Sequence, residues 1–245
     1  MWYAARVVGR FAREALAAGE GEVCAAFRRS VYLRLPGERY ACVGDASLGR
    51  GPLNALVEPF APPPVGSRLA VSAEAAVLWQ PPPGTCIAEA ELLRRASKDR
   101  VPAEGLGCLI VGEHNALAVH AQPALEAIDR WLVGNALSNE IEVLVGLGPG
   151  LTPSGDDYLG GILVALRQLG RAAQAEALWR WLQPRLAERT SAISAAHLVA
   201  AAAGEGHEAL HEVLNGSLNL EKLAAVGHCS GWDALAGAAA VLRAS

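Results

Sequence analysis

The chain of 245 residues carries little charge: Asp, Glu, Lys and Arg make up 19 % of it, against roughly 25 % in an ordinary globular domain. It has no block of basic residues, and its formal charge is −4. The electrostatic footprint of a nucleic-acid partner is therefore missing. Its five cysteines, Cys24, Cys42, Cys86, Cys108 and Cys229, form no C-x-x-C pair, which argues against a disulfide framework or a zinc knuckle and for reduced, cytoplasmic thiols. Long hydrophobic runs are lacking too. Mostly apolar stretches such as residues 195–203, interrupted by His197, fall far short of the roughly 20 residues that a spanning helix needs, so no membrane partner is expected. What the chain does have is 52 % hydrophobic residues, which excludes intrinsic disorder and supports a sizeable core in one large domain or two small ones.

Residues 1–19 read as an amphipathic helix with Val7, Phe11 and Ala15 on one face. Short extended runs follow at residues 22–28, 30–35, 40–43, 55–60, 69–71 and 75–79, punctuated by Pro/Gly turns. Alternation such as Val31, Leu33 and Leu35 against Tyr32 and Arg34 is a strand signal, and turns spaced so regularly predict a meander or small barrel. Pro81-Pro82-Pro83 fits neither a central strand nor a helix interior, which places a boundary there. The expected domains are residues 1–84, an N-terminal helix plus β-rich part, and residues 85–245. In the second, apolar runs at 107–112 and 141–145 read as extended. Helical periodicity runs over 87–96 and 123–137 and through nearly everything after Ser154, with Pro184 dividing one helix. The fold class expected is α+β, a β-rich N-terminal portion packed on a mainly helical C-terminal portion.

The stretch 146–157, GLGPGLTPSGDD, runs into a helix whose buried face is Leu159, Ile162, Leu163, Leu166 and Leu169. Glycines allow close approach of a ligand to the backbone, and the first N–H groups of a helix favour an anion. Gly148, Gly150 and Gly155 are thus candidate backbone donors, and Thr152 and Ser154 candidate hydroxyl contacts. Gly150 and Gly155 have the glycine spacing of a Walker A loop, but Asp156 stands where the lysine belongs, and no register gives G-x-G-x-x-G. Asp156 and Asp157 would repel an anion unless a divalent cation bridges them or they face a donor-rich part of the ligand. Ser154–Asp157 recurs as Ser230–Asp233 in a shared S-G-x-D-x-L-x-G pattern. In each copy the serine can cap its helix, with the aspartate reaching back to it. The two helix starts are expected to converge on one pocket approached by His228, Asp157 and Asp233. Thr190 and Ser194, four apart, could offer hydroxyls from one helical face.

The motif GLGPGLTPSGDD, together with Arg189-Thr190-Ser191-Ala192-Ile193-Ser194 and Gly227-His228-Cys229-Ser230-Gly231-Trp232-Asp233, resembles the bacterial family containing the AllH-type subunit of oxamate carbamoyltransferase. The resemblance covers the C-terminal 105 residues well and the N-terminal half in outline, through its strands and Gly51-Pro52. It implies a role in allantoin breakdown, where oxalurate and phosphate are interconverted with oxamate and carbamoyl phosphate, and it implies partner subunits. In that reading Asp156, Asp157 and His228 are the candidate catalytic residues, Asp156 or Asp157 positioning an amide N–H, binding a divalent cation or acting as base. Gly148, Gly150, Thr152, Ser154, Gly155, Thr190, Ser194, Ser230 and Asp233 hold a small anionic substrate, with no metal ligand assigned. The competing class is a noncatalytic binding or assembly subunit with the same pocket. A third reading rests on His207-Glu208-Ala209-Leu210-His211, an H-E-x-x-H pattern that on one helix would hold zinc with the glutamate as base, although no ordinary third-ligand motif follows it.

Overall fold

In the computed structural model, residues 1–84 and 89–245 are described; Cys86 and the first two residues of the helix expected over 87–96 lie outside them. The chain divides into two compact units, Met1–Pro82 and Pro83–Ser245. The first is built on a sheet and the second is mostly helical, an α+β protein as the change in periodicity predicts.

In the first unit, β1 (Trp2–Gly9) leads directly into α1 (Arg10–Leu16), followed by β2 (Gly21–Ala26), β3 (Ser30–Leu35), β4 (Arg39–Gly44), β5 (Asn54–Val57), β6 (Arg68–Ser72) and β7 (Val77–Trp79). β2, β3 and β4 form an antiparallel meander. β5 runs parallel to β4 and antiparallel to β1, while β1 also pairs with β6, which returns to β2. The ring therefore closes as a small barrel, with β7 continuing alongside the second half of β1. Its core holds Val8, Val23, Val31, Leu33, Leu35, Val43 and Leu69, the inward side of the alternation read from the sequence. The helix expected over residues 1–19 is corrected: Val7 lies on a strand, and only Arg10–Leu16 is helical. Aromatic Trp2-Tyr3 and β-branched Val7-Val8 suit a pleated surface. Gly9 marks the change, since a side chain there would collide with the Gly51 carbonyl.

The second unit contains α2 (Ala90–Ser97), α3 (Ala116–Leu132), α4 (Ser154–Gln168), α5 (Ala172–Leu182), α6 (Leu186–Arg189), α7 (Ala192–Ala202), α8 (Glu208–Leu214), α9 (Glu221–Ala224) and α10 (Ser230–Arg243). α4 and α10 are buried on nearly every side and pack on each other at the centre. Leu159, Ile162, Leu163 and Leu166 are fully buried, as their spacing predicts, while Leu169, expected on the same face, follows the end of α4 and is half-buried. Two expected extended runs are corrected to short 3-10 helices, Gly107–Ile110 and Asn139–Leu144. In the latter Ile141 and Leu144, three apart, turn inward, and Ser138 accepts the Glu140 N–H at 3.2 Å. The loop at 146–157 is therefore entered from a helical turn, not from a strand. α3 begins earlier than its expected start at Pro123, because Asn115 caps it by accepting the Ala118 N–H at 2.9 Å. Pro184 falls in a 3-10 turn, Gln183–Arg185, that separates α5 from α6.

The contact between α4 and α10 follows from glycine. A methyl group on Gly161 would collide with the Ala234 carbonyl oxygen, and one on Gly237 with the Tyr158 carbonyl oxygen. These are the last residue of each S-G-x-D-x-L-x-G copy meeting the fifth residue of the other. The two contacts are reciprocal and mark where the helices cross most closely; the direction follows from the helix starts, where Thr152 Oγ1 lies 3.0 Å from Ser230 Oγ, so the N-termini lie at the same end.

Candidate functional site

The two helix starts lie together: Thr152 Oγ1 and Ser230 Oγ are 3.0 Å apart, across 78 residues of sequence. The local capping expected for each serine is corrected. Ser154 and Ser230 are the first helical residues, behind Pro153 and Cys229, and neither helix has a side-chain cap. The serines act across the pair instead. The Ser154 hydroxyl stabilises the charged form of Asp233, and the Ser230 hydroxyl that of Asp157. Parallel neighbours in this register put the first residue of one copy beside the fourth of the other.

The three aspartates have different surroundings. Asp156 accepts from the Gly146 N–H at 2.8 Å, from Ser194 Oγ at 2.7 Å and from Thr190 Oγ1, and so ties the loop to α7. Ser191 adds to this strap by donating to the Leu151 carbonyl at 2.6 Å while accepting the Ser194 N–H at 3.0 Å. Asp233 Oδ1 accepts from the backbone N–H groups of Leu106 at 2.5 Å and Gly107 at 3.1 Å. Burial pushes the Asp233 carboxyl up to about 6 against the opposing effects of Ser154 and those two N–H groups. Asp157 Oδ2 is buried and has no hydrogen-bond partner among the described residues. Burial pushes this carboxyl well up, the Ser230 and Thr152 hydroxyls oppose the shift, and the charges of Asp233 and Asp156 add to it.

Thr152, Ser154, Asp157, Ser230 and Asp233 are thus brought together at the paired helix starts. Asp156, Thr190 and Ser194 form a cluster of their own whose hydroxyls are spent on the carboxylate. Thr190 also precedes α7 and does not share a helical face with Ser194. The Gly155 N–H is occupied by the Leu147 carbonyl at 2.9 Å, which corrects its expected part as a ligand donor. Gly148, Gly150 and Thr152 donate their N–H groups to no protein acceptor among the described residues. Gly148 has φ +110, and a side chain there would press on the Ser154 backbone nitrogen at 3.1 Å. His228 does not turn toward Asp157; its Nε2 lies 3.0 Å from Glu104 Oε2, and both side chains are exposed. Glu104 and the Leu106 and Gly107 N–H groups were not legible, because nothing local in the sequence ties residues 104–107 to a helix start more than 120 positions away.

The H-E-x-x-H pattern does not form a zinc helix. His207 lies ahead of α8 as its cap, accepting the Ala209 N–H on Nδ1 at 3.2 Å. His211 accepts the Gly206 N–H on Nε2 at 3.0 Å, so its Nδ1 carries the proton and faces Gln168 Oε1 at 3.2 Å. Burial lowers His211 to about 4. Gly204 and Gly206 end any helix upstream, which leaves the first histidine outside the turn that the motif requires.

The fold and site together define an α+β protein whose helical unit presents a glycine-rich loop at the joined N-termini of two parallel helices. Residues 144–242, spanning both helices from the Leu144 turn onward, match the family model described as oxamate carbamoyltransferase subunit AllH, in agreement with the resemblance carried by the glycine motif. No curated protein and no solved structure matches the chain. No helix among the described residues is long and apolar enough to cross a membrane.

Proposed function

We propose that the chain is a cytoplasmic subunit of a carbamoyl-transferring assembly and that the paired helix starts bind its small anionic substrate. Two observations carry this reading: the loop that leads into α4 has backbone donors without a protein acceptor among the described residues, at Gly148, Gly150 and Thr152, and in the first turn of that helix Asp157 Oδ2 is buried without a donor among them. Such a site suits a ligand with an anionic end and an N–H end, as oxamate, oxalurate and carbamoyl phosphate all have. In the transfer, the amide nitrogen attacks the carbamoyl carbon, the C–O bond to phosphate breaks with its electron pair leaving on phosphate, and the nitrogen loses a proton. Asp157 is the group assigned to accept the amide N–H and then that proton. Asp156 positions the loop through its three donors, and His228 is left outside the reacting group.

The second reading, a subunit that binds ligand without catalysing its reaction, is favoured by the family description, which names a subunit. The test is calorimetry of the full chain with oxamate and with carbamoyl phosphate, and product assay alone and with the partner subunits. Saturable binding that Asp157→Asn abolishes, with turnover only in the assembly and lost in the same variant, supports catalysis at this site. Turnover that survives Asp157→Asn leaves the binding role alone. Failure of both ligands to bind under either condition overturns the proposal.

A further inference from the structure

Beside the helix starts, and independent of the substrate proposal, the side chains of Glu104, His228 and Cys229 gather one oxygen, one nitrogen and one sulfur within 4.8 Å of one another. We propose that this trio is a binding site for a thiophilic divalent cation of the zinc type, with a fourth position open to solvent. The donor set is the first argument. An imidazole and a thiolate select a borderline-soft ion over magnesium or calcium, and carboxylate completes three of the four positions of a tetrahedron. With bonds of about 2.0–2.3 Å, the ligand atoms of such a site stand roughly 3.5 Å apart. The His228–Glu104 pair is already at 3.0 Å, the sulfur lies within 4.8 Å of both, and the exposed glutamate and histidine are the side chains that binding would turn toward it. Charge is the second argument, since the ion displaces the Cys229 thiol proton to solvent, and one carboxylate and the resulting thiolate neutralise a divalent ion.

The scaffold is the third argument. The ligands come from two segments 124 positions apart, held together by groups other than the ligands. Asp233 accepts both the Leu106 and the Gly107 N–H from the segment that carries Glu104. A methyl group on Gly105 would stand 2.9 Å from Cys229 Cβ, so this segment lies directly on the Cys229 turn. Gly227, at φ +60, makes the turn that directs the next two residues there. An exposed His–Glu pair contributes little by itself, and exchanging that contact for an ion is correspondingly cheap.

The experiment titrates the untagged full chain with cobalt(II) as a spectroscopic substitute and then with zinc in competition. One equivalent of cobalt, with a thiolate-to-cobalt charge-transfer band in the near ultraviolet that zinc abolishes, is the expected result. Cys229→Ser removes the band, and His228→Ala weakens binding at least tenfold. Glu104→Gln weakens it less, and His120→Ala, on the exposed face of α3, leaves it unchanged. Circular dichroism establishes that each variant is folded; Glu104 and His228 are both exposed, so their variants keep the test meaningful even if Cys229→Ser unfolds. Absence of stoichiometric binding, binding without the sulfur band, or affinity indifferent to His228→Ala and Glu104→Gln overturns the proposal.

Discussion

The two copies of S-G-x-D-x-L-x-G share their packing and differ in their approach loops. In both, a leucine carbonyl, of Leu144 in one and Leu223 in the other, occupies the space that a side chain on Gly155 or Gly231 would need. In both, that glycine's N–H is taken by the fourth residue of the preceding turn, Leu147 at 2.9 Å or Val226 at 3.1 Å. A glycine with positive φ then follows, Gly148 or Gly227, close against the serine. From there the first copy takes seven residues to reach its helix, Gly148 to Ser154, and the second takes four, Gly227 to Ser230. The frame is one solution used twice. The longer loop has room for unengaged N–H groups, while the shorter one turns His228 outward, so chemistry differs where packing permits it.

The frame is broken most severely at the glycines between the helices. Gly161→Ala and Gly237→Ala each drive a methyl group into a backbone carbonyl that cannot rotate away, and each is expected to cost about 3 kcal/mol or more. Gly160→Ala is the control one position away. Its methyl group would meet Ala201 Cβ at an ordinary 3.7 Å, so helix propensity is expected to raise stability by up to about 1 kcal/mol. Urea denaturation checks all three, and equal effects at 160 and 161 would contradict the close approach of α4 to α10.

The copies next diverge at the third residue, Asp156 in one and buried Trp232 in the other. Asp156→Ala strands the Gly146 N–H and the Thr190 and Ser194 hydroxyls, an expected loss of about 2–3 kcal/mol. Asp156→Asn keeps an acceptor for Gly146 and offers its amide to the hydroxyls, which can accept, so most of that loss is recovered. Denaturation midpoints of the two variants separate an acceptor role from a need for negative charge, and an asparagine variant as unstable as alanine would refute the former.

Much of this frame was legible. The repeat was visible as a pattern, and Leu159, Ile162, Leu163 and Leu166 announced the buried face of α4. The strands announced themselves through alternation, and Ser30–Leu35 is bounded as read. The pairing across copies was not legible, because a serine three residues ahead of an aspartate reads as a local cap whenever the neighbouring helix is unknown. Nor could sequence show that Thr190 and Ser194 spend their hydroxyls on Asp156. The extended reading of 141–145 failed because a short apolar run has no period of its own, and the absence of a pairing strand decided the outcome. Val7 was misplaced for the converse reason: a helical spacing of three apolar residues was outweighed by ring closure of the barrel.

Asp233 gives the copies a pH signature. Its carboxyl is raised from 3.8 to about 6, so the folded protein holds a proton that the unfolded chain has released. Stability from this group is complete below pH 4 and is lost as pH rises through 6, by roughly 2–3 kcal/mol. Asp157, raised for the same reason, acts in the same direction. Asp233→Asn retains Oδ1 for Leu106 and Gly107 and removes the titration. The difference in unfolding free energy between variant and parent is therefore expected to favour the variant increasingly from pH 4 to 7. A pH-independent difference would sink the assignment.

The smallest expected effect is also the one that most directly tests the crossing of the copies. Ser230 Oγ stands 3.0 Å from Thr152 Oγ1 and holds the Asp157 carboxyl down, while Ser154 does the same for Asp233. Loss of either hydroxyl costs about 1 kcal/mol, which a local cap would cost as well, so stability alone cannot separate the two arrangements. Carboxyl titration by NMR can. Ser230→Ala is expected to raise the Asp157 carboxyl further and leave Asp233 near its parent value, and Ser154→Ala is expected to raise Asp233 above about 6. In a capping box the dependence is reversed, each serine acting on the aspartate three residues ahead of it. Each variant therefore reports on the carboxyl of the other helix only if α4 and α10 start side by side, and a shift confined to the same copy would return both motifs to ordinary helix caps.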